Sequence, residues 1–136
     1  MINKCYMKDV LVARRGESVL EVSKILRDTQ KRNLVVIDNE DRPIGFLSVV
    51  DINNRVIAEE KDPLAVEVNE VMTKSTVSLD EKETFDVAIE KMMDRNILSC
   101  PVTRNDKLIG MVEFKEIVSC YQKESMGVLN GFKRVY

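Results

Sequence analysis

The sequence contains no histidine and no tryptophan among its 136 residues, and it has only five glycines and three prolines. The absence of histidine excludes Ser-His-Asp and Cys-His nucleophile pairs, imidazole acid–base catalysis and histidine-ligated zinc sites. The few glycines form no phosphate-binding loop, and the acidic residues form no recognisable metal cluster, so only scattered carboxylates remain. We therefore expect neither an enzyme nor a metal site.

A strong excess of either charge is also missing, since 21 Lys and Arg face 23 Asp and Glu. A surface that coats nucleic acid needs a basic excess, so this balance argues against a nucleic-acid partner. No apolar run approaches the ~20 residues that span a bilayer, and residues 1–6 lack the apolar core of a signal peptide. We expect a soluble cytoplasmic protein without a membrane partner.

Cysteine is scarce as well, with Cys5, Cys100 and Cys120 far apart and in no Cys-x-x-Cys spacing. An odd number of dispersed cysteines suits a reducing compartment better than a disulfide framework. The sequence therefore predicts three small buried thiols.

An internal repeat organises the chain. Gly45 in Pro43–Leu47 corresponds to Gly110 in Leu108–Val112 at a spacing of 65, and Ser18 corresponds to Thr84 at a spacing of 66. The one-residue shift falls in polar turns, where a length change costs little. The ordered matches predict two related halves.

Each half has the same pattern of predicted elements. An apolar stretch precedes a helix that begins behind Ser18 or Thr84, and two β-branched strands separated by a polar turn precede a second helix. The predicted unit is β-α-β-β-α, in the α/β class, and about 55 residues are too few for a comfortable independent core. We assign the units to residues 6–60 and 70–123, the connector to 61–69, and a tail to 124–136.

These residues resemble a tandem pair of CBS domains, called a Bateman module. The first half has Val35-Val36-Ile37-Asp38, then Arg42-Pro43-Ile44-Gly45, and then Gly45-Phe46-Leu47-Ser48-Val49-Val50-Asp51, which matches Gly-h-h-Ser/Thr-x-x-Asp (h, hydrophobic). The second half has Met72-Thr73-Lys74, Pro101-Val102 and Leu108-Ile109-Gly110. The resemblance covers roughly residues 6 to 123.

The resemblance implies two units packed through their sheets about a pseudo-twofold axis, with two clefts between them. Relatives often bind AMP, ADP, ATP or S-adenosylmethionine in such clefts, without catalysis and with no required cofactor. Such pairs commonly form homodimers. The implied function is a sensor that reports ligand occupancy to an effector protein, whose identity the sequence does not reveal.

Ser48 and Asp51 have two readings. At the start of a helix, Ser48 can accept a free backbone N–H and Asp51 places a carboxylate in the first turn. By resemblance, Asp51 would instead hold the two ribose hydroxyls, and Ser48 would face a phosphate or another polar group. Both readings remain open on the sequence alone.

The resemblance brings further residues to the Asp51 cleft. Val77 and Ser78 would lie beside the adenine, and Ser99, Cys100 and Pro101 would line the same wall. Arg32 and Asn33 would reach phosphates, although Arg32 also fits a solvated charge. Ile44 and Phe46 alternate along one strand, and which of them touches a base is open.

The second cleft departs from the family pattern. Glu113 and Glu116 replace Ser48 and Asp51, and Val12 replaces the Ser or Thr expected on the first strand. Glu113 would repel a phosphate, so we expect one good nucleotide site and a second, weaker one. Arg14 and Arg15 would either offset the glutamates or form an exposed loop. The alternative function, from a different class, is a ligand-free dimerisation scaffold.

Overall fold

The computed structural model describes residues 1–74 and 77–126. These residues form two compact units, each described here by itself. We call residues 10–74 with 106–108 the Ser48 unit. Residues 1–9, 77–105 and 109–126 form the Glu113 unit.

The Ser48 unit contains a four-stranded sheet in the order β1-β2-β3-β4. Its elements are β1 (Val12–Arg14), α1 (Val19–Thr29), β2 (Asn33–Ile37), β3 (Pro43–Ser48), α2 (Val49–Ile52), α3 (Val68–Val71) and β4 (Thr73–Lys74). β1 runs parallel to β2, whereas β3 is antiparallel to both β2 and β4. The predicted β-α-β-β-α order is present in this repeat.

The second helix of this unit changes its hydrogen-bond pattern after one turn. A π-helical segment, Asn53–Ile57, follows α2 directly, and the N–H of Ala58 donates to the carbonyl of Asn53 at 2.8 Å. The sequence predicted one continuous helix from about Asp51 to Glu60. Single π turns often occur at functional sites, and this one contains Arg55.

The Glu113 unit contains a three-stranded sheet in the order β5-β6-β7. Its elements are a 3-10 turn (Ile2–Lys4), β5 (Leu79–Asp80), α4 (Phe85–Asp94), β6 (Ser99–Arg104), β7 (Lys107–Glu113) and α5 (Phe114–Ser125). β5 runs parallel to β6. The second repeat therefore also follows the order β-α-β-β-α, which confirms the predicted α/β class.

The predicted helix starts at Ser18 and Thr84 are confirmed. Ser18 Oγ accepts the N–H of Glu21 at 3.1 Å, and Thr84 Oγ1 accepts the N–H of Val87 at 3.4 Å. A side-chain oxygen at this position satisfies one of the free donors of the first turn. The two caps fix where α1 and α4 begin, and thereby which faces reach the cores.

Each unit has its own hydrophobic core. In the Ser48 unit, α1 packs on the sheet through side chains that include Val19, Val22 and Leu26. In the Glu113 unit, α4 does the same through Phe85, Ala88 and Met92. The apolar positions at helical spacing are thus the core positions in both repeats.

The compact units do not follow the repeat boundaries. β4 lies at the beginning of the second repeat but pairs with β3 of the first, with Phe46 opposite Thr73. In the Glu113 unit, Lys8, at the beginning of the first repeat, pairs with Met111 of β7. Each sheet therefore pairs with residues from the beginning of the other repeat.

The prediction of three free thiols is wrong for two of them. Cys5 and Cys120 form a disulfide across a sequence separation of 115, and both lie in the core of the Glu113 unit. Sequence spacing could not find this pair, because only the packing of residues 1–9 on α5 brings the two sulfurs together. Cys100 is a buried free thiol, as expected.

Among the described residues, no helix is long and apolar enough to cross a membrane. Of the predicted tail, Glu124 and Ser125 complete α5 and Met126 caps it, while 127–136 lie outside the described residues. The predicted first strand of the second repeat includes Thr76, which also lies outside them.

Candidate functional site

The candidate site of the Ser48 unit is built on the start of α2. Ser48 Oγ accepts the N–H of Asp51 at 3.0 Å, and Asp51 Oδ2 accepts the N–H of Ser48 at 3.0 Å. This reciprocal capping box satisfies two backbone donors at once and fixes both side chains. The helix-capping reading of Ser48 and Asp51 is confirmed.

The other carboxylate oxygen of Asp51 is less firmly held. Its Oδ1 lies 3.5 Å from Thr73 Oγ1 and 3.8 Å from Arg55 Nη2, both long contacts. Arg55 itself is positioned by a 2.9 Å bond from Nη1 to the carbonyl of Val71. Asp51 therefore has one oxygen, Oδ2, fixed by the capping box and a second, Oδ1, with spare acceptor capacity beside a hydroxyl and a guanidinium.

Two of the expected phosphate-side residues lie next to this helix start. The carbonyl of Arg32 accepts the N–H of Val49 at 2.9 Å, and Asn33 stands opposite Ser48 in the β2–β3 register. Both residues are exposed. The structure thus brings Arg32, Asn33, Ser48 and Asp51 together within one unit.

The two apolar candidates on β3 are half-buried. Ile44 packs against the core of the Ser48 unit, and Phe46 stands opposite Thr73 in β4. Phe46 therefore lies opposite the residue whose hydroxyl approaches Asp51 Oδ1.

The remaining candidates of this site belong to the Glu113 unit. Val77 and Ser78 are half-buried, Ser99 is exposed, and Cys100 and Pro101 are buried. Cys100 is fully enclosed in the core, and burial raises the pKa of its thiol to about 12. Its side chain is thus committed to packing, and only its backbone is left for the role that the resemblance implies.

The equivalent helix start in the Glu113 unit has different chemistry. Glu113 stands at the N-cap position of α5 and makes no side-chain capping bond. Its carboxylate instead forms ion pairs with Lys8 and with Lys115, the latter at 3.6 Å. The weaker second site stays a prediction, and these two lysines reduce the net negative charge beside Glu113.

The other residues of the second predicted site lie on α5 and on β1. Glu116 is half-buried in the first turn of α5, and Val12 is 40% exposed on β1 of the Ser48 unit. Arg14 pairs with Asp41 at 2.9 Å and donates to the carbonyl of Asp38 at 3.1 Å. Arg14 therefore serves a loop of its own unit, in agreement with the exposed-loop reading.

Sequence reasoning missed Thr73, Arg55 and Lys8 as site neighbours. A signal for two of them was present, because Met7-Lys8 precedes Met72-Thr73 by 65 residues, the spacing that relates Gly45 to Gly110. Gly45 faces Met72 and Thr73, and Gly110 faces Met7 and Lys8. Extending the repeat comparison towards the N-terminus would have aligned Lys8 with Thr73.

Two β-α-β-β-α repeats, each ending in a helix with an acidic first turn, define a tandem α/β repeat protein. The CBS domain family profile matches residues 4–58 and 68–123. The chain belongs to the CBS domain family and carries a pair of these domains.

Curated relatives share this region. An uncharacterised protein of Methanopyrus kandleri is 26% identical over 112 residues, which cover 82% of this chain and 57% of that protein. The inosine-5'-monophosphate dehydrogenase of Methanocaldococcus jannaschii is 26% identical over 113 residues, covering 82% of this chain and 22% of the enzyme. The chain thus spans between about a fifth and just over half of these relatives, and the match to the enzyme concerns a small part of it.

Solved structures share the fold. Staphylococcus aureus OpuCA has a TM-score of 0.69 at 18% identity, covering 87% of this chain and 97% of that one. A CBS domain pair solved with 5'-methylthioadenosine and S-adenosyl-L-methionine has a TM-score of 0.64 at 23% identity, covering 91% and 97%. These similarities confirm the predicted CBS-pair fold.

Proposed function

We propose that the protein is a regulatory CBS pair that binds an adenosine-containing ligand at the start of α2. Asp51 accepts the ribose hydroxyls, and Arg32, Asn33 and Ser48 face the phosphate or another polar end of the ligand. Val77, Ser78, Ser99 and the backbone of Cys100 and Pro101 complete the adenine side, as the family resemblance implies.

The observation that carries this proposal is the arrangement of Asp51. One oxygen is fixed by the capping box, and the other has only contacts of 3.5 and 3.8 Å. A carboxylate held rigidly with spare acceptor capacity loses little entropy when it binds a diol. The exposed Arg32 supplies a permanent cation beside it for an anionic ligand.

The relative solved with 5'-methylthioadenosine and S-adenosyl-L-methionine supports the choice of ligand class. Those two ligands carry a ribose and an adenine but no phosphate. If Arg32 contacts a phosphate, AMP should bind this protein more tightly than 5'-methylthioadenosine. The ranking of these two compounds therefore tests Asp51 and Arg32 separately.

The test is a calorimetric titration with AMP, ADP, ATP, S-adenosylmethionine and 5'-methylthioadenosine, with melting curves in parallel. A ligand that binds only the native state raises the melting temperature with its concentration. Hydrogen bonds to a charged acceptor contribute about 1.5–3 kcal/mol each, so Asp51→Asn should weaken binding at least about tenfold. Arg32→Gln should weaken AMP and leave 5'-methylthioadenosine unchanged.

Two variants serve as matched controls. Glu116→Gln changes the position that corresponds to Asp51 in the second repeat, and it should leave the affinity unchanged. Ser18→Ala removes the side-chain cap of α1, which takes no part in the proposed site, so it separates loss of stability from loss of binding. Unchanged affinity in Asp51→Asn would contradict the assignment of the site.

A ligand-free scaffold is the second candidate, and one observation favours it. The capping box already gives Ser48 and Asp51 a structural role that needs no ligand. No response to any of the five compounds would establish this alternative over the sensor.

We further propose that the protein forms a homodimer and acts on an effector protein in the cytoplasm. Val49 and Val50 on α2 are 41% and 60% exposed. A groove of about 240 Å³ beside them is lined by Leu26, Val49 and Ile52, with Arg27 and Lys31 at its margin. Exposed apolar patches of this kind mark association surfaces. Sedimentation of the wild type and of Val50→Asp would test the homodimer.

A further inference from the structure

Residues 1–9 lie outside the named strands and α-helices of the Glu113 unit. The N–H groups of Ile2 and Asn3 donate to the carbonyls of Glu83 and Glu81 at 2.9 and 3.1 Å. Lys8 and Met111 exchange two backbone bonds of 2.8 and 3.1 Å. Ile2 and Cys5 lie in the core of the unit, and Met7 packs against it. A short segment outside the regular elements is the kind of region that opens locally before the whole protein unfolds.

The disulfide is the single covalent attachment of this segment to the rest of its unit. Cys5 lies three residues before Lys8, and Cys120 lies two turns along α5, the helix that begins beside Glu113. Lys8 in turn pairs with Glu113. The redox state of Cys5 and Cys120 is therefore connected, through three residues of chain, to the charge at the start of α5.

We propose that the Cys5–Cys120 disulfide is a redox-controlled latch, and that its reduction by a dithiol releases residues 1–9 and withdraws Lys8 from Glu113. In the oxidised protein the segment is held and Glu113 is neutralised. In the reduced protein the segment opens locally, and Glu113 faces solvent with Lys115 as its remaining partner.

The chemistry is a thiol–disulfide exchange with a dithiol reductant. One thiolate of the dithiol attacks a sulfur of the disulfide, forms a mixed disulfide and expels the other cysteine as a thiolate. The second thiolate of the dithiol then attacks the mixed disulfide and expels the remaining cysteine. Two electrons and two protons pass to Cys5 and Cys120, and the dithiol leaves as its own disulfide.

The contrast with the third cysteine supports a redox role for this pair. Cys5 and Cys120 keep 6% and 8% of their surfaces exposed, whereas Cys100 is completely buried. Opening of the 3-10 turn that precedes Cys5 would expose its sulfur together with the side chain of Ile2, and it would leave the β5-β6-β7 sheet paired. Intracellular disulfides are usually transient and redox-sensing, so this role rests on the cytoplasmic location proposed above.

The first measurement is a thiol count in denaturant, before and after treatment with dithiothreitol. We expect one reactive thiol, that of Cys100, in the oxidised protein and three after reduction. Three thiols in protein that has been exposed to a mild disulfide oxidant such as oxidised glutathione would overturn the proposal, because no latch would then form.

The second measurement is hydrogen exchange of the oxidised and reduced protein. We expect the amides of Lys8 and Met111 to exchange at least about tenfold faster after reduction, because residues 1–9 could then open without unfolding of the whole unit. The matched control lies in the other unit, where the equivalent β3–β4 pairing has no disulfide and should change less than about twofold. Cys120→Ser should exchange like the reduced wild type and ignore dithiothreitol.

Two outcomes would overturn the latch. Unchanged exchange at Lys8 and Met111 would show that the segment stays closed without the disulfide. An equal acceleration in both units would show a disulfide that stabilises the protein as a whole. Neither readout uses a nucleotide, so failure here is distinct from failure of the proposed ligand site.

Discussion

The starts of α2 and α5 occupy equivalent positions in the two repeats, yet they handle an acidic first turn in different ways. At α2, Ser48 and Asp51 satisfy each other's backbone groups within four residues of chain. At α5, Glu113 makes no cap and is paired with a lysine 105 residues away in sequence. The same fold position is stable with local hydrogen bonds or with long-range charge pairing.

The residue that faces the start of the helix also differs between the two units. Thr73 approaches Asp51 in the Ser48 unit, and its repeat equivalent Lys8 pairs with Glu113 in the other. A hydroxyl suits a carboxylate that already has donors, whereas a glutamate without a cap needs a cation. The start of α5 is therefore a cluster of charged side chains rather than a copy of the capping box at α2.

The largest difference should come from the two glycines that face these approaching segments. A Cβ on Gly45 would lie 2.6 Å from Met72 Sδ and 2.7 Å from the carbonyl oxygen of Thr73, whereas on Gly110 the nearest atoms are 3.2 Å away. Gly45→Ala should therefore lower the free energy of unfolding by about 1–3 kcal/mol, and Gly110→Ala by less than about 1 kcal/mol. Urea unfolding of both variants measures this, and equal losses would contradict the closer approach in the Ser48 unit.

Loss of the cap at α2 should have the next largest effect. Ser48→Ala leaves the N–H of Asp51 without its partner and should lower the free energy of unfolding by about 1 kcal/mol. The matched change Glu113→Ala removes no capping bond and should have a smaller effect. Thermal unfolding without ligand compares them, and a larger loss for Glu113→Ala would reverse our account of the two helix starts.

The Lys8–Glu113 ion pair should contribute less, because the Lys8 side chain is 54% exposed. A double-mutant cycle with Lys8→Met and Glu113→Gln should give a coupling of about 0.2–1 kcal/mol that falls with added salt. The cycle with Lys115→Met, whose nitrogen lies 3.6 Å from Glu113, is the control and should give a weaker coupling. A coupling between Lys8 and Glu113 that is indistinguishable from zero would contradict the view that this ion pair stabilises the start of α5.

The smallest expected difference is in the dependence of stability on acid pH. In the Glu113 unit this dependence involves the carboxylate of Glu81. Arg104 donates to Glu81, and this side-chain bond is the main cause that lowers the pKa of Glu81 below its ordinary value of 4.5. A lowered pKa contributes stability that is present above 4.5 and is lost as the pH falls through the folded value. Glu81→Gln should therefore be less stable than the wild type at neutral pH, and the two should converge in acid.

Urea midpoints at neutral and at acid pH measure this convergence. The exposed Glu90 provides the control, since Glu90→Gln should leave the neutral midpoint nearly unchanged. A constant difference between Glu81→Gln and the wild type at all pH values would rule out titration of Glu81 as its cause.

The sequence predicted most of the fold because the repeat duplicates its local signals. Ser18 and Thr84 marked two helix starts, and the β-branched run from Leu34 to Ile37 marked a strand. These signals depend only on residues that are neighbours in sequence. The disulfide and the Lys8–Glu113 pair could not be predicted in this way. They depend on the placement of residues 1–9, which only the packed structure determines.

The candidate site was predictable to the extent that it is local. Ser48 and Asp51 lie three residues apart, and their reciprocal hydrogen bonds follow from that spacing. Thr73 approaches Asp51 only because β4 pairs with β3, a long-range feature without a strong sequence signal, whereas Arg55 lies at the i+4 position from Asp51. Cys100 was assigned to the site wall by the resemblance alone, and its side chain lies in the core of the Glu113 unit.

The pairing of each sheet with residues from the beginning of the other repeat has a consequence for dissection of the chain. A cut in the connector at residues 61–69 would take β4 from β3 and leave residues 1–9 attached to the wrong half. Each fragment would expose an unpaired strand edge and an emptied apolar surface. Because each repeat supplies backbone partners for the sheet of the other, we expect neither repeat to fold stably as a separate fragment.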